Sequence, residues 1–290
     1  KYSDQLRLAA FGYVMEQTNS KDGGRYGGVL RTPMKFVGAK TFDESGIDNT
    51  PNSGNPKAEW DINTGVFLSN PDGDTSQSKR ISGVINYLNK FGRTGPLEGR
   101  YKKFDPVSEM YGEVLRYLQG LSPTPDAVSG LTDPLNTFYD GFPISTTWAD
   151  PYGGARSNTK DYSCLRSNIV VIGDVNTHDS SRLLDRTADI TKNLPNFSYS
   201  GGGWNRIVRD FERNNSTSYL DARGTTRTTA NPNTPNTDSP TVSSGAAASI
   251  MGQAYWARTQ DIRGTSWTDK PALQRPGLRV KSFFFDVNEG

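Results

Sequence analysis

The chain has one cysteine and one histidine in 290 residues, and each scarcity excludes chemistry. A lone thiol, Cys164, rules out an internal disulfide and a cysteine-built zinc site. An odd cysteine pairs elsewhere in a secreted protein and is a buried thiol in a cytosolic one; the loop-rich composition favours the first. No apolar run approaches the ~20 residues that a membrane helix needs. There is no basic run, and the net charge is only +2, so nothing argues for nucleic acid or an anionic membrane as partner. No G-x-S-x-G elbow occurs, and no internal repeat points to a solenoid or propeller. The chain starts at Lys1 without methionine and reads as a processed or excised piece, so a missing leader says nothing of its origin.

What is abundant is turn chemistry. Thirty Gly and 17 Pro accompany a hydrophobic fraction of 33%, with Asn, Thr, Ser and Asp as the main polar residues. The length allows one large or two ordinary domains with a real core. Residues 6–14 (LRLAAFGYV) read as a core strand, with short strands at 28–30 and 34–37. Residues 41–56 and 70–78 are loops, and 59–70 fit a hairpin around 61–65. Ile81, Val84, Ile85, Leu88 and Phe91 fall on one helical face across 81–91. A second helix over 106–121 carries Val107, Met110, Tyr111, Val114, Leu115, Leu118 and Leu121. Asp105 is its candidate N-cap, Pro106 its first residue, and Pro123 and Pro125 close it. A short helix is expected around 204–214, a long loop over 225–245, and a helix over 246–263 burying Ile250, Met251, Ala254, Tyr255 and Ile262. A last strand over 278–287 puts Val280, Phe283, Phe284 and Phe285 in the core. Strands alternating with helices imply an α/β fold with a mainly parallel sheet.

Chemistry concentrates in residues 167–179, SNIVVIGDVNTHD. Ile169, Val170, Val171 and Ile172 read as a strand buried on both faces. Gly173, Asp174, Asn176, Thr177, His178 and Asp179 follow it, where ligands sit in open α/β sheets. The same residues also make an ordinary turn, and spacing leaves both readings open. Cys164 and His178 flank a strand spanning roughly 17 Å, which separates them too far for nucleophile and base. A two-metal hydrolase needs several converging ligands, and a single imidazole is too few. His178 thus reads as a solvent-facing or capping loop residue. Asp105 and Asp174 form a more interesting pair, at a helix start and a strand end, since hard cations take carboxylate oxygens. Spacing alone still favours Asp105 as a plain helix cap. Asp72 and Asp74 read as a solvated turn rather than a calcium loop, because the glycine and final glutamate are misplaced.

Several segments add to this as an ordered set. They are YSDQLRLAAFGY (2–13), GGVLRTPMKFVG (27–38), AEWDINTGVF (58–67), SGVINYLNKFG (82–92), DPVSE (105–109) and DGFPISTTW (140–148). IGDVNTHD (172–179), AYWARTQDIR (254–263) and LRVKSFFFDVNE (278–289) complete it. The set resembles the PilC/PilY family of type IV pilus tip-associated adhesins; only 41–56, 124–136 and 223–245 are unmatched.

The resemblance implies a single, partial von Willebrand factor type A-like domain over 1–290, with insertions at about 17–80 and 180–245. Residues 6–14 would form a central strand, 169–172 a core strand, and 278–287 the strand that closes the sheet. It also implies one divalent cation, Mg²⁺ or Ca²⁺, held by Asp105 in the place of the family's threonine and by Asp174. The D-x-S-x-S motif of the opening strand has no counterpart in this chain, and the family's C-terminal propeller is absent from it. The implied role is non-enzymatic: surface attachment and pilus assembly at the pilus tip, outside the cell, after passage through the periplasm. Implied partners are minor pilins and a host or abiotic surface, and Cys164 would pair with a cysteine N-terminal to this stretch. Most tryptophans are expected in the core rather than at an interface. The alternative is a metal-dependent, phosphoesterase-like hydrolase using Asp174, His178 and Asp179.

Overall fold

The computed structural model describes residues 3–17, 20, 23–94, 101–131, 138–153, 165–173, 178–179, 194, 197, 204, 207–208, 218–220, 226–228, 249–263 and 277–287. The chain forms two compact units. The first comprises Lys1–Thr18, Gly28–Lys103 and Arg116–Tyr162; the second comprises Asn19–Gly27, Phe104–Leu115 and Ser163–Gly290.

In the first unit, β1 (Arg7–Gly12) pairs antiparallel with β2 (Val29–Phe36). The sequence suggests two short strands, at 28–30 and 34–37, but one strand runs through Pro33 and joins them. Leu8 faces Lys35 while Ala10 faces Thr32, so two residues of β2 stand against one of β1. This bulge absorbs the proline, which has no amide to give a ladder. The adjacent Met34 amide donates instead to the Tyr117 hydroxyl (2.9 Å). Ala10, Val84, Tyr87 and Phe142 form a buried cluster, with Leu8 and Ile81 against it. The Tyr87 and Phe142 rings meet edge to face at 5.1 Å. The buried Arg31 guanidinium donates to the carbonyls of Tyr139 (2.8 Å), Tyr13 (2.5 Å) and Phe138 (3.0 Å). Burial holds its pKa below the usual arginine value.

Helix α1 (Val84–Lys90) starts later than the apolar spacing suggests, because Gly83 sits at φ 96° and breaks the helical path. Its first turn is closed by a distant side chain. Glu59 accepts the Val84 and Ile85 amides (2.8 Å each) and pairs with Lys35 (2.9 Å), which also meets Asp72 (2.6 Å). Leu88 and Phe91, expected in the core, are exposed, and Tyr87 takes the buried position. The expected hairpin is present: Trp60 bridges Phe67, and Asp61 Oδ1 accepts the Asn63 and Thr64 amides. In the turn at Asp72 and Asp74, Asp72 pairs with Lys35 and Asp74 accepts from Ser76.

Helix α2 (Val107–Leu118) follows the spacing closely, burying Val107, Tyr111, Leu115 and Leu118. Residues 107–115 belong to the second unit and 116–118 to the first. A short helix, α3 (Pro125–Val128), lies where the sequence shows only prolines closing α2.

In the second unit, β3 (Ser167–Gly173) pairs in parallel with β6 (Val280–Asp286). A separate antiparallel pair joins β4 (Ser218–Leu220) to β5 (Thr226–Thr228). Helix α4 (Ser249–Thr259) buries Gln253, Trp256 and Ala257 rather than the expected Tyr255 face. Trp256 carries the largest apolar surface and packs edge to face on Phe197 at 5.1 Å, which sets the helix's rotation.

The architecture is mixed α/β, and two of its three described strand pairs are antiparallel. Among the described residues, β1 is hydrogen-bonded only to β2, and β3 only to β6. β3 is not buried on both faces. Ile169 is 7% exposed, whereas Val170 and Ile172 are each 57% exposed. The phenylalanine run of β6 is likewise open, with Phe285 at 60%. A run of β-branched and aromatic residues specifies extended backbone; it does not specify how many layers cover it.

Candidate functional site

The start of α2 is where the chemistry expected of the sequence gathers. Pro106 fixes the approach to the helix, and the Val107 amide donates to the Asp105 carbonyl (3.0 Å). The Asp105 side chain, which spacing favours as the helix cap, reaches the imidazole of His178. Its Oδ1 lies 2.7 Å from His178 Nδ1, and the His178 amide donates to the Asp105 carbonyl (3.0 Å). Phe104 stands edge-on to the imidazole at 5.4 Å.

The cap comes from the next residue along. Asp179 Oδ1 accepts the Ser108 amide (2.8 Å) and the Glu109 amide (3.2 Å). A carboxylate at this end satisfies orphan amides and meets the positive end of the helix dipole. Asp179 is fully buried. Burial pushes its pKa up to about 7, with the Glu109 charge adding to the rise and the hydrogen bonds opposing it. Glu109 accepts the Gly27 amide through Oε2 (3.0 Å). Gly27 has φ 63°, and a Cβ there would lie 2.8 Å from Glu113 Cγ, so this close approach requires glycine.

His178 and Asp179, neighbours in sequence, thus face opposite duties: an exposed imidazole on Asp105 and a buried carboxyl under the helix. The sequence offers no signal for the second duty, because Asp179 lies 71 residues from Ser108. Asp174 and Cys164 lie outside the described residues, so the pairing of Asp105 with Asp174 is not on view. Among the described residues, no group of three or more His, Cys, Asp or Glu is arranged to hold a metal ion. Asp105 with His178 is too few ligands for a resident cation. Among the described residues, no helix is long and apolar enough to cross a membrane.

Two surface features of the first unit stand apart from this cluster. The hairpin exposes Ile62 (64%), Val66 (63%) and Phe67 (57%). An open cavity of about 370 Å³ is lined by Arg7, Lys35, Phe36, Phe42 and Lys57 among others. Its cations are already engaged: Arg7 lies 5.6 Å over the Phe36 ring, Lys35 pairs with Glu59 and Asp72, and Lys57 donates to the Asp72 carbonyl.

A family model described as PilY1 homolog, second domain, matches residues 18–243. The chain is 36% identical over 200 residues to a type IV pilus biogenesis factor PilY1 homolog from Xylella fastidiosa (strain Temecula1). That alignment covers 64% of this chain and 15% of the relative, so the chain matches a small part of a much longer protein. No solved structure matches the chain. The family match spans both the β2 region and the two loops that carry Asp105 and His178–Asp179, and the chain belongs to the PilY1 family.

Proposed function

We propose that this chain is a non-enzymatic part of a type IV pilus biogenesis factor that sits at the pilus tip and serves pilus assembly and surface attachment. The observation that carries the reading is the family match over residues 18–243, with a relative named as a pilus biogenesis factor. The parallel β3–β6 pair, with α4 against β6 and Tyr111 of α2 against Ser282, supports a von Willebrand factor type A-like core. In that reading, about 17–80 and 180–245 are insertions into one domain. The exposed hairpin at Ile62, Val66 and Phe67 supports an adhesive role for the first of them. Minor pilins at the tip and a host or abiotic surface are the proposed partners, and the protein works outside the cell. Co-purification of minor pilins with the full-length protein, weakened by Phe67→Asp, tests the partner; unchanged recovery contradicts it.

A divalent cation, Mg²⁺ or Ca²⁺, at Asp105 and Asp174 belongs to the same proposal. His178 occupies Asp105 Oδ1, so a cation there would replace the imidazole. Calorimetry with Mg²⁺ and Ca²⁺ is expected to show weak binding that Asp105→Ala abolishes; binding unchanged in that variant contradicts the assignment. The hydrolase reading is the poorer one, because Asp179 is buried beneath α2 and holds two of its amides.

A further inference from the structure

Lys35, Glu59 and Asp72 of the first unit converge in a way that an ion pair alone leaves unexplained. Lys35 Nζ lies 2.6 Å from Asp72 Oδ1 and 2.9 Å from Glu59 Oε1. All three side chains are withdrawn from water: Lys35 is 11% exposed, Asp72 16% and Glu59 0%. The two carboxylates are bonded very differently. Both Glu59 oxygens are held in place, accepting the Val84 and Ile85 amides at 2.8 Å. Asp72 Oδ2, in contrast, is buried and has no hydrogen-bond partner among the described residues. A buried acceptor without a partner is costly and calls for a reason.

The surroundings fix the reacting groups. Lys35 stands on β2, opposite Leu8 of β1. The Asp72 amide donates to Ser82 Oγ (3.0 Å), and Lys57 Nζ donates to the Asp72 carbonyl. Gly83 packs tightly against Glu59 and Pro71; a Cβ there would lie 2.5 Å from Pro71 Cγ and 2.9 Å from Glu59 Oε2. We propose that Lys35 and Asp72 condense to an isopeptide bond, with Glu59 as the acid–base group. Glu59 takes one proton from the Lys35 ammonium, and the freed lone pair of Nζ attacks Asp72 Cγ. The Nζ–Cγ bond forms, and the bond from Cγ to one carboxylate oxygen breaks. That oxygen leaves as water, with the proton returned by Glu59 and a second one given up by Nζ. Ammonium and carboxylate thus become one neutral amide and one water, and no oxidant, reductant or cofactor is needed. Holding amine and carboxyl in contact supplies the orientation that free solution lacks. The product also removes two poorly solvated charges and one of the two Asp72 oxygens, which an ion pair in this place must keep. Neither the cation nor surface attachment enters this chemistry.

The test digests the full-length protein with trypsin and sequences the peptides by mass spectrometry. Trypsin does not cut at an acylated lysine, so residues 32–40 should emerge joined to residues 58–79. This branched peptide should be lighter than the sum of its arms by one water, and fragment ions should place the branch between Lys35 and Asp72. Lys35→Arg keeps a cation beside both carboxylates and should yield no branched peptide. Glu59→Gln, shown to be folded by circular dichroism, should form the branch on the order of 100-fold more slowly. Where Glu59→Gln fails to fold, Glu59→Asp takes its place, because its carboxyl is one methylene further from Nζ. Release of residues 32–35 as a separate peptide in the parent, with no branch, overturns the proposal. So does a branch at Glu59, a loss of water confined to residues 58–79, or an undiminished rate in the Glu59 variant.

Discussion

Asp179 is the residue on which the start of α2 depends. Its pKa of about 7 in the fold lies well above the ~3.9 of an unfolded aspartate. The folded state therefore holds an extra proton between those values. Stability from this group is complete below the unfolded pKa and is lost as pH rises through about 7. Asp179→Asn keeps the acceptor and removes the titration, so urea unfolding at pH 5 and pH 8 should differ for the parent and be nearly flat for the variant. Parallel pH profiles would count against the assignment. Asp179→Ala should cost about 1–2 kcal/mol at pH 5, the usual loss for a helix cap. Glu59 holds α1 in the same manner and also pairs with Lys35. Glu59→Ala strands two amides while Lys35 keeps Asp72, and should cost on the order of 1–3 kcal/mol in denaturant titration. Neither carboxylate was legible in the sequence as a cap. Local spacing made Asp105 the candidate, whereas tertiary contact supplies one that is distant in the chain. Asp105 itself was legible as a polar residue of interest, but its partner proved to be His178.

At the scale of elements, periodicity worked where a helix has one buried face. α2 buries Val107, Tyr111, Leu115 and Leu118 as its spacing suggests, along with Glu109 and Glu113, and α4 shows what spacing omits: Trp256, by its size, turns the helix away from the Tyr255 face. Strands were legible as strands but not in their partners or their burial. Residues 28–30 and 34–37 suggested two strands, and the bulge beside Ala10 lets one strand run through both. That bulge leans on one hydroxyl, Tyr117 to the Met34 amide. Tyr117→Phe retains the ring's contacts with Phe11 and Trp148 and leaves the amide without its partner. Thermal or urea unfolding should register a loss of about 1–3 kcal/mol; a neutral effect would mean that water replaces the hydroxyl. In β3 and β6, composition could not reveal the open side, because the same Ile, Val and Phe residues suit a buried strand and an exposed one.

At the scale of the whole molecule, the alignment with the curated relative covers 15% of that relative's length. The chain forms two compact units, exposes an apolar hairpin and belongs to the PilY1 family. Family membership was legible from an ordered series of short motifs spread over the chain. The cation expectation rested on two aspartates alone, of which the described structure contains one. The most direct measurement is an in-frame deletion of residues 1–290 in the bacterium that encodes the protein. Surface pili are then counted by electron microscopy, and attachment to an abiotic surface is scored beside a complemented strain. The account predicts fewer surface pili or a loss of attachment, restored on complementation. Unchanged pilus number together with unchanged attachment would contradict it.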